Sequence, residues 1–473
     1  MSDDAPASQP PLIQALGLRD VVMMTVVAVV GLRWVARGAR VGPPSVLLWL
    51  LAWLMFFVPL AAVVAELSSR YPEQGGIYAW TRRAFGPAHA FLCGWCLWVN
   101  NLFYFPSLLL FASANLAAAL GAGYADLAEN RTYAVVFVLG ALWFCTIINI
   151  VGFGAAKWLQ NLGSLGTWVP AGLLIGAGAV AFAMFGSATS FEPAQLIPHG
   201  DVLGTVSLWS AMCFAFSGFE ITALVGQEVK HPSRNIPLGV CIAGFAASVM
   251  YILGSASVLI AVPASALVER SGITDAVDLV AGRVGLAGVG ALTGGLLAAS
   301  AVAGTSSWFA GAGRVPFAAG VDNLLPRVFA RLHPRYRTPH VVLIVQAIVA
   351  SLLFLTSVFL TVAGGRTTIQ EAYDILVNLT ILVYFVPYVY LFICYVRLRQ
   401  GPHDGPFRIP GGATAAWTLA AAGLIATVVS IALVFVPPAG TENVWNYEVN
   451  LIVQGAVLIG GGMVFYRRRR AAA

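Results

Sequence analysis

The sequence contains few charged residues. Only 10% of its 473 residues are Asp, Glu, Lys or Arg, whereas 59% are hydrophobic and the mean hydropathy is +0.83. Soluble domains carry about 25% charged residues, so this composition excludes a chain of ordinary soluble domains. The apolar residues form long runs along the whole chain, which indicates a polytopic membrane protein.

The motifs of common enzymes and metal sites are also absent. The sequence has no HExxH or GxSxG motif and no spaced pair of aspartates, and its six histidines lie at span ends or in loops. Its six cysteines lie in apolar runs, and only Cys93 and Cys96 are closely spaced, without a second pair or a nearby histidine. These absences argue against an enzyme, a metal site and a bound cofactor. No secretory signal peptide is expected, because residues 1–18 are polar and contain proline.

The apolar runs predict twelve membrane spans. They lie at 20–42, 45–69, 88–120, 132–152, 160–186, 202–229, 236–262, 284–312, 340–363, 371–396, 414–437 and 449–466. If the N-terminus is cytoplasmic, most of the 26 lysines and arginines fall on the cytoplasmic side. The positive-inside rule therefore predicts a protein of the cytoplasmic (inner) membrane with both termini in the cytoplasm. Residues Arg467 to Arg470 follow the last span directly and fit a topology anchor better than a nucleic-acid patch.

The first span is interrupted. From Val21 to Val30 its only polar side chain is Thr25, and then Gly31 and Arg33 follow before the run can cross a bilayer, which needs roughly 20 apolar residues. An arginine at that depth costs from about 2.5 to more than 10 kcal/mol. A glycine beside a buried charge predicts a helix that unwinds within the membrane. The alternative is a span that ends at Val30, with Arg33 extending outward to the interface.

The sixth span repeats this interruption with the tetrapeptide Ser217-Gly218-Phe219-Glu220 at its centre. Because the two interrupted spans are five apart, spans 1–5 and 6–10 are predicted to form two inverted repeats. The chain is thereby divided into four parts. They are a cytoplasmic tail at 1–19, a first repeat at 20–186, a second repeat at 187–398, and helices 11 and 12 with a short basic tail at 399–473. Interrupted helices at corresponding places in two halves indicate the binding site of a transporter.

Polar side chains elsewhere in the spans allow more than one interpretation. Asn100 and Asn101 lie in the third span and should face the interior of the bundle, where interhelical hydrogen bonding explains them as well as substrate contact does. Glu66 lies near the cytoplasmic end of the second span, where its carboxylate can reach water or Arg70. A structural role and a gating role for Glu66 stay open.

Three stretches of the chain resemble the amino acid–polyamine–organocation transporter superfamily. They are AELSSRYPEQGGIYAWTRRAFG, FSGFEITALVGQEVKHPSRNIP and GTSSWFAGAGRVPFAAGVDNLLP. The resemblance implies the leucine-transporter fold: an all-α polytopic membrane protein with a five-plus-five inverted repeat, two C-terminal helices, twelve transmembrane helices and unwound spans 1 and 6. It also implies a secondary active transporter, a permease that moves amino acids or related amines by alternating access.

The first span departs from the pattern of many members of this superfamily. Their small-residue loop is replaced by Gly31-Leu32-Arg33-Trp34, which looks more like the glutamate/GABA antiporter branch. The long C-terminal plug of that branch is not expected here, since only Arg467 to Ala473 follow the last span. The substrate and the choice among symport, exchange and uniport stay open, as does a non-transporting amino-acid sensor on the same fold. A sensor would normally need a soluble output domain, which the sequence does not show.

The resemblance also implies a set of site residues. Phe214 would be an aromatic lid, Trp308 an aromatic wall and Asn101 a polar contact, with core packing as the alternative for each aromatic ring. Glu220 is the candidate for proton coupling, and Arg33 is its natural partner. The alternative is that the donors of Arg33 bind an acidic substrate. The full predicted substrate site is Gly31, Leu32, Arg33, Trp34, Asn101, Phe214, Ser217, Gly218, Phe219, Glu220 and Trp308.

The coupling ion, H⁺ or Na⁺, is left open by the sequence. Some relatives place a lysine in span five where a sodium ion binds in sodium-driven members, but Thr167 occupies that place here. Thr305 and Ser306 are a candidate sodium site, although such hydroxyls often bond to their own helix backbone instead. The expected partners are a small-molecule substrate and the lipid bilayer, with no nucleic acid.

Overall fold

The protein is helical throughout its described part. The computed structural model describes residues 12–198, 202–261, 273–286, 288–359, 369–401, 405–436 and 444–472. These residues include no strand, and only two isolated bridges occur among them, Leu16 with Val229 and Gln74 with Val225. The predicted all-α fold is thus confirmed. Most of the predicted N-terminal tail, residues 1–11, lies outside the described residues.

The helices follow the apolar runs of the sequence, because a chain in lipid must satisfy its backbone hydrogen bonds internally. The first half contains α1 (Leu18–Val29), α2 (Arg33–Ala39), α3 (Pro44–Arg70), α4 (Ile77–Phe85), α5 (Pro87–Ala119), α6 (Arg131–Val151) and α7 (Phe153–Phe185). The second half contains α8 (Val202–Ala215), α9 (Ile221–Leu224), α10 (Pro232–Ala261), α11 (Ile273–Arg283), α12 (Gly290–Val321), α13 (His340–Phe359), α14 (Ile369–Leu398), α15 (Gly412–Val434) and α16 (Val444–Ala472).

Eight stretches of helix within the described residues are long and apolar enough to cross a membrane. They are α3, α5, α6, α7, α10, α13, residues Thr380–Leu398 of α14, and α15. The pair α1 and α2, bent by 45° at its break, makes a ninth if it is counted as one span. The chain is therefore a multi-pass membrane protein, and the twelve crossings expected from the sequence remain a prediction.

The long helix α12 lies inside the bundle and packs most extensively against α5 and α7. A Cβ atom added at Gly166 of α7 would lie 2.1 Å from the carbonyl oxygen of Leu296 on α12. Small residues at such contacts let membrane helices approach closely, where van der Waals packing drives their association. This close packing fixes α12 beside α1, so that its side chains reach the helix breaks.

Candidate functional site

The chain leaves helical geometry between α1 and α2. Val30 adopts an extended conformation, and α2 starts at Arg33. The carbonyl of Ala28, near the end of α1, accepts a hydrogen bond from Nε1 of Trp308 at 2.9 Å. An unwound segment is tolerated at membrane depth only when neighbouring groups satisfy its backbone, and Trp308 of α12 does so here.

Tyr251 of α10 connects this break with the second one. Its hydroxyl accepts a hydrogen bond from the backbone N–H of Gly31 at 3.1 Å. The same hydroxyl lies 3.0 Å from the carbonyl oxygen of Val29 and 3.1 Å from that of Ala215, and its single hydrogen can serve either. The ring is buried and stacks on Trp49 with centroids 4.8 Å apart. Tyr251 therefore bonds to backbone at both breaks, a role that the sequence did not reveal.

The second break separates α8 from α9. Gly218 has a φ of 103°, a conformation that side-chain-bearing residues rarely adopt. A Cβ atom there would lie 2.7 Å from the ring of Trp308. The N–H of Gly218 donates to the hydroxyl of Tyr388 on α14 at 2.7 Å. Both backbone conformation and space thus require glycine at this position.

Glu220 lies two residues after Gly218 and is completely buried. Its carboxylate accepts hydrogen bonds from the hydroxyls of Tyr384 at 2.5 Å and Tyr388 at 2.7 Å. Hydroxyl donors offset part of the cost of burying a carboxylate but supply no opposite charge. Two tyrosines one turn apart on α14 therefore hold the acidic side chain of the second break.

Arg33 does not pair with Glu220, contrary to the sequence-based expectation. Among the ion pairs of the described residues, none joins these two side chains. The guanidinium of Arg33 lies over three aromatic rings, with its Cζ atom 4.9 Å from the centroid of Trp34, 5.5 Å from that of Tyr104 and 5.8 Å from that of Phe111. Arg33 thus makes cation–π contacts with these rings.

A small cavity lies where the two breaks meet. It offers about 20 Å³ for the centres of water-sized molecules, enough for a single water or little more. Its lining residues are Ala28, Val29, Trp34, Asn100, Asn101, Tyr104, Phe214, Ser217, Trp308 and Tyr384. The structure therefore places five predicted site residues around one cavity: Trp34, Asn101, Phe214, Ser217 and Trp308. The other predicted residues (Gly31, Leu32, Arg33, Gly218, Phe219 and Glu220) belong to the breaks but do not line it.

Aromatic rings enclose this cavity. Phe214 contacts Tyr384 with ring centroids 5.6 Å apart, Tyr384 contacts Trp308 at 6.0 Å, and Trp308 contacts Tyr104 at 5.9 Å. The circuit closes between Tyr104 and Phe214 at 6.5 Å, and Trp34 packs on Phe214 at 5.6 Å. All these contacts are edge-to-face, the arrangement that the quadrupoles of aromatic rings favour.

Sequence reasoning missed several members of this site. Asn100 lines the cavity together with the predicted Asn101, and the side-chain oxygens of both are buried without a hydrogen-bond partner in the described part of the chain. Tyr384 and Tyr388 lie more than 160 residues beyond Glu220. The usable signal was a group of four tyrosines, at 384, 388, 390 and 395, in a mostly apolar stretch.

Comparisons with known proteins show the family of the chain. A family model described as amino acid permease matches residues 16–461. The chain belongs to the amino acid permease family. The resemblance inferred from its three stretches is confirmed, and the protein is a transporter rather than an enzyme.

Three curated relatives match this permease over most of their length. An uncharacterised transporter of Legionella pneumophila is 28% identical, with 96% of this chain and 95% of the relative covered. A probable agmatine/putrescine antiporter of Lactococcus lactis is 21% identical, with coverages of 92% and 91%. A glutamate/gamma-aminobutyrate antiporter of the same species is 23% identical, with coverages of 86% and 81%.

The hydroxyls of the candidate sodium site make bonds within the permease. Thr305 donates to the carbonyl of Ala301 in its own helix at 2.9 Å. The hydroxyl of Ser306 accepts from Nδ2 of Asn149 on α6 at 2.9 Å. Thr167, the residue in place of the span-five lysine, lies 2.7 Å from the hydroxyl of Ser300 on α12. Sodium coordination at Thr305 and Ser306 stays a prediction.

Two buried ion pairs lie outside the cavity. Arg314 of α12 binds Glu228 through two hydrogen bonds of 3.0 Å, and both side chains are almost completely buried. Glu66 pairs with Arg399 and also accepts from the hydroxyl of Tyr395 at 3.0 Å. The sequence suggested water or Arg70 as the contact of Glu66, but its charged partner is Arg399 of the segment after α14.

Proposed function

We propose that this permease exchanges amino acids or related amines across the cytoplasmic membrane by alternating access. The observation that carries the proposal is the small cavity at the junction of the two helix breaks. Residues at both breaks line it: Ala28 and Val29 at the end of α1, and Ser217 between α8 and α9. Discontinuous helices of this kind form the substrate sites of many secondary transporters. Since the cavity holds little more than one water, a substrate requires the surrounding rings to move apart.

The proposed architecture has twelve crossings, arranged as a five-plus-five inverted repeat with two further helices. In this assignment α1 and α2 form the first span, and α8 with α9 forms the membrane part of the sixth. The 45° bend between α1 and α2 and the left-handed Gly218 support discontinuous helices in both halves. The distribution of arginines supports cytoplasmic termini.

Glu220 is the proposed coupling residue. Within the described residues its carboxylate has tyrosine hydroxyls as partners and no cation. It can therefore gain or lose a proton without breaking an ion pair. Because it lies at the second break, next to the proposed substrate site, a change in its protonation can be coupled to substrate transport. Exchange is favoured over uniport because two relatives are named as antiporters.

Counterflow in proteoliposomes tests the proposal. Purified permease is reconstituted, the vesicles are loaded with an unlabelled amino acid or amine, and entry of the labelled compound is followed. We expect transient accumulation that depends on the internal compound, with protein-free liposomes as the control. Saturable binding without any accumulation would favour the sensor alternative.

Topology is tested separately by cysteine labelling. The exposed native Cys241 is first replaced, and single cysteines are introduced at Asp275 and Arg335. An impermeant thiol reagent should label position 275 from outside and position 335 only after permeabilisation. The opposite pattern would invert the proposed orientation.

A further inference from the structure

Arginines from two parts of the chain meet at the end of α16. The run from Arg467 to Arg470 follows the last apolar residues of this helix, and Arg327 lies on the connection between α12 and α13. A hydrogen bond of 2.7 Å from Nη2 of Arg469 to the carbonyl oxygen of Leu325 joins the two elements. Because Arg327 is only two residues from Leu325, its backbone lies beside the basic end of the helix.

These five arginines have no acidic partner within the described part of the chain. None of the ion pairs there includes them, and Nε of Arg327 donates instead to the side-chain oxygen of Asn323 at 3.3 Å. The carboxylate nearest to Arg327 in sequence, Asp322, pairs with Arg82 and accepts from the hydroxyl of Tyr78 at 2.7 Å. The exposed members of the group are Arg327, Arg467, Arg468 and Arg470. Exposed positive charge without a counter-charge attracts anions.

The positive-inside rule explains the sign of these charges but not their arrangement. Arginines that only orient a span need to lie beyond its end, and the rule requires no contact with another helix. Here Arg469 is bonded to the connection after α12, and its Nε has no hydrogen-bond partner within the described residues. A guanidinium held in this way, with further donors to offer, is suited to bind the oxygens of a phosphate.

An apolar strip of α16 leads to the arginines. Val457 and Val464 are 65% and 53% exposed. Gly460 and Gly461 lie between them, and a Cβ atom added at either glycine would meet no atom within 4 Å. These positions and Arg468 follow each other at intervals of three or four residues, so they share one face of the helix. The strip is therefore a shallow, open depression with positive charge at one end.

We infer that this strip and the five arginines form a binding site for an anionic phospholipid. An acyl chain lies along the strip between Val457 and Val464, and the phosphate meets the guanidinium groups of Arg327, Arg468 and Arg469. A soluble phosphate would use the charges but leave the apolar strip uncovered. Clusters of about four to eight basic residues directly after a membrane helix bind anionic headgroups. The inference goes beyond the proposed function and does not depend on the substrate.

Two phospholipids with the same acyl chains test the site in the wild-type permease. Purified, delipidated protein in detergent is titrated with dioleoyl phosphatidylglycerol or dioleoyl phosphatidylcholine, and bound lipid is counted by native mass spectrometry. Each arginine near an anionic surface contributes about fivefold to affinity, so two or more should make phosphatidylglycerol bind at least about 25-fold more tightly. Inorganic phosphate at the same concentration should not displace it. Equal binding of the two lipids, or displacement by phosphate, overturns the inference.

The double variant Arg327→Gln, Arg469→Gln tests the position of the site. Its preference for phosphatidylglycerol should fall about 25-fold, while its binding of phosphatidylcholine stays unchanged. A second double variant, Arg467→Gln, Arg468→Gln, leaves the bond to Leu325 in place and should show a similar loss. A preference that is unchanged in either variant overturns the assignment.

The matched control is Arg335→Gln, Arg337→Gln. These two arginines are exposed, lie further along the connection between α12 and α13, and remove the same amount of charge. The control should keep the preference of the wild type for phosphatidylglycerol. A loss in the control as large as in the first double variant would show that any positive charge on this face serves, and it would overturn the inference of a defined site.

Discussion

Two buried glutamates lie eight residues apart in the segment between α8 and α10, and their surroundings differ. Glu228 meets the guanidinium of Arg314 in a two-bond ion pair. Glu220 accepts from the hydroxyls of Tyr384 and Tyr388, and no ion pair of the described residues includes it. The first carboxylate is neutralised and held in place, whereas the second can change its charge without disrupting an ion pair. The difference separates a carboxylate held in an ion pair from one with the surroundings that the proposed coupling role requires.

The ion pair should show the larger effect on stability. Arg314→Met leaves Glu228 buried without its cation, which should lower the free energy of unfolding by about 3–5 kcal/mol. The thermal midpoint of the purified permease in detergent measures this loss. The double variant Arg314→Met, Glu228→Leu removes both charges and should recover much of the lost stability. A double variant as unstable as the single one would show that the pair is not the cause.

Glu220→Gln should affect transport rather than folding. The amide is nearly isosteric and can still accept from one tyrosine, so the thermal midpoint should stay close to that of the wild type. Turnover should fall at least about tenfold, and its pH dependence should flatten, because the side chain no longer exchanges a proton. Initial rates of exchange across a pH series test this. Wild-type rates with an unchanged pH profile would remove Glu220 from the coupling mechanism.

The comparison also shows what the sequence could predict. Glu220 was identifiable because a carboxylate beside glycine in the middle of an apolar run is unusual. The partners of Glu220 could not be identified from the sequence, because Tyr384 and Tyr388 lie on a helix more than 160 residues away. Arg33 was assigned to the wrong partner because the direction of a side chain at a helix break depends on backbone torsions that residue spacing does not specify.

Helix positions were easier to predict than contacts. The apolar runs predicted helices close to those observed, since helices are the means by which a single segment satisfies its backbone in lipid. The pair of Arg314 and Glu228 was missed, because each residue looked like an ordinary charge at a cytoplasmic end. Both residues are buried because α12 packs beside the second break, a contact that the sequence does not show.

The two tyrosines that hold Glu220 should differ in importance. Tyr388 donates to Glu220 and accepts from the N–H of Gly218. Tyr384 also donates to Glu220 and lies 3.2 Å from the hydroxyl of Tyr388, but it accepts from no backbone N–H among the described residues. Tyr388→Phe therefore leaves a buried N–H unsatisfied and should cost about 1–3 kcal/mol of stability, against about 0.5–1.5 kcal/mol for Tyr384→Phe. Parallel thermal unfolding of the two variants compares them. Equal losses would mean that the bond to Gly218 contributes little.

The smallest expected effect is the coupling between Arg33 and Glu220. If the two charges formed a pair, Arg33→Ala would leave Glu220 buried and unpaired, and removing Glu220 as well would restore stability. Since Arg33 lies over Trp34, Tyr104 and Phe111 instead, Arg33→Ala and Glu220→Ala should act independently. The loss in the double variant should equal the sum of the single losses within about 0.5 kcal/mol. A double-mutant cycle on unfolding free energies measures this difference, with the Arg314 and Glu228 cycle as the positive control. A coupling energy as large as in that control would show that Arg33 and Glu220 form an ion pair. Glu220 and Glu228 would then both be neutralised by an arginine.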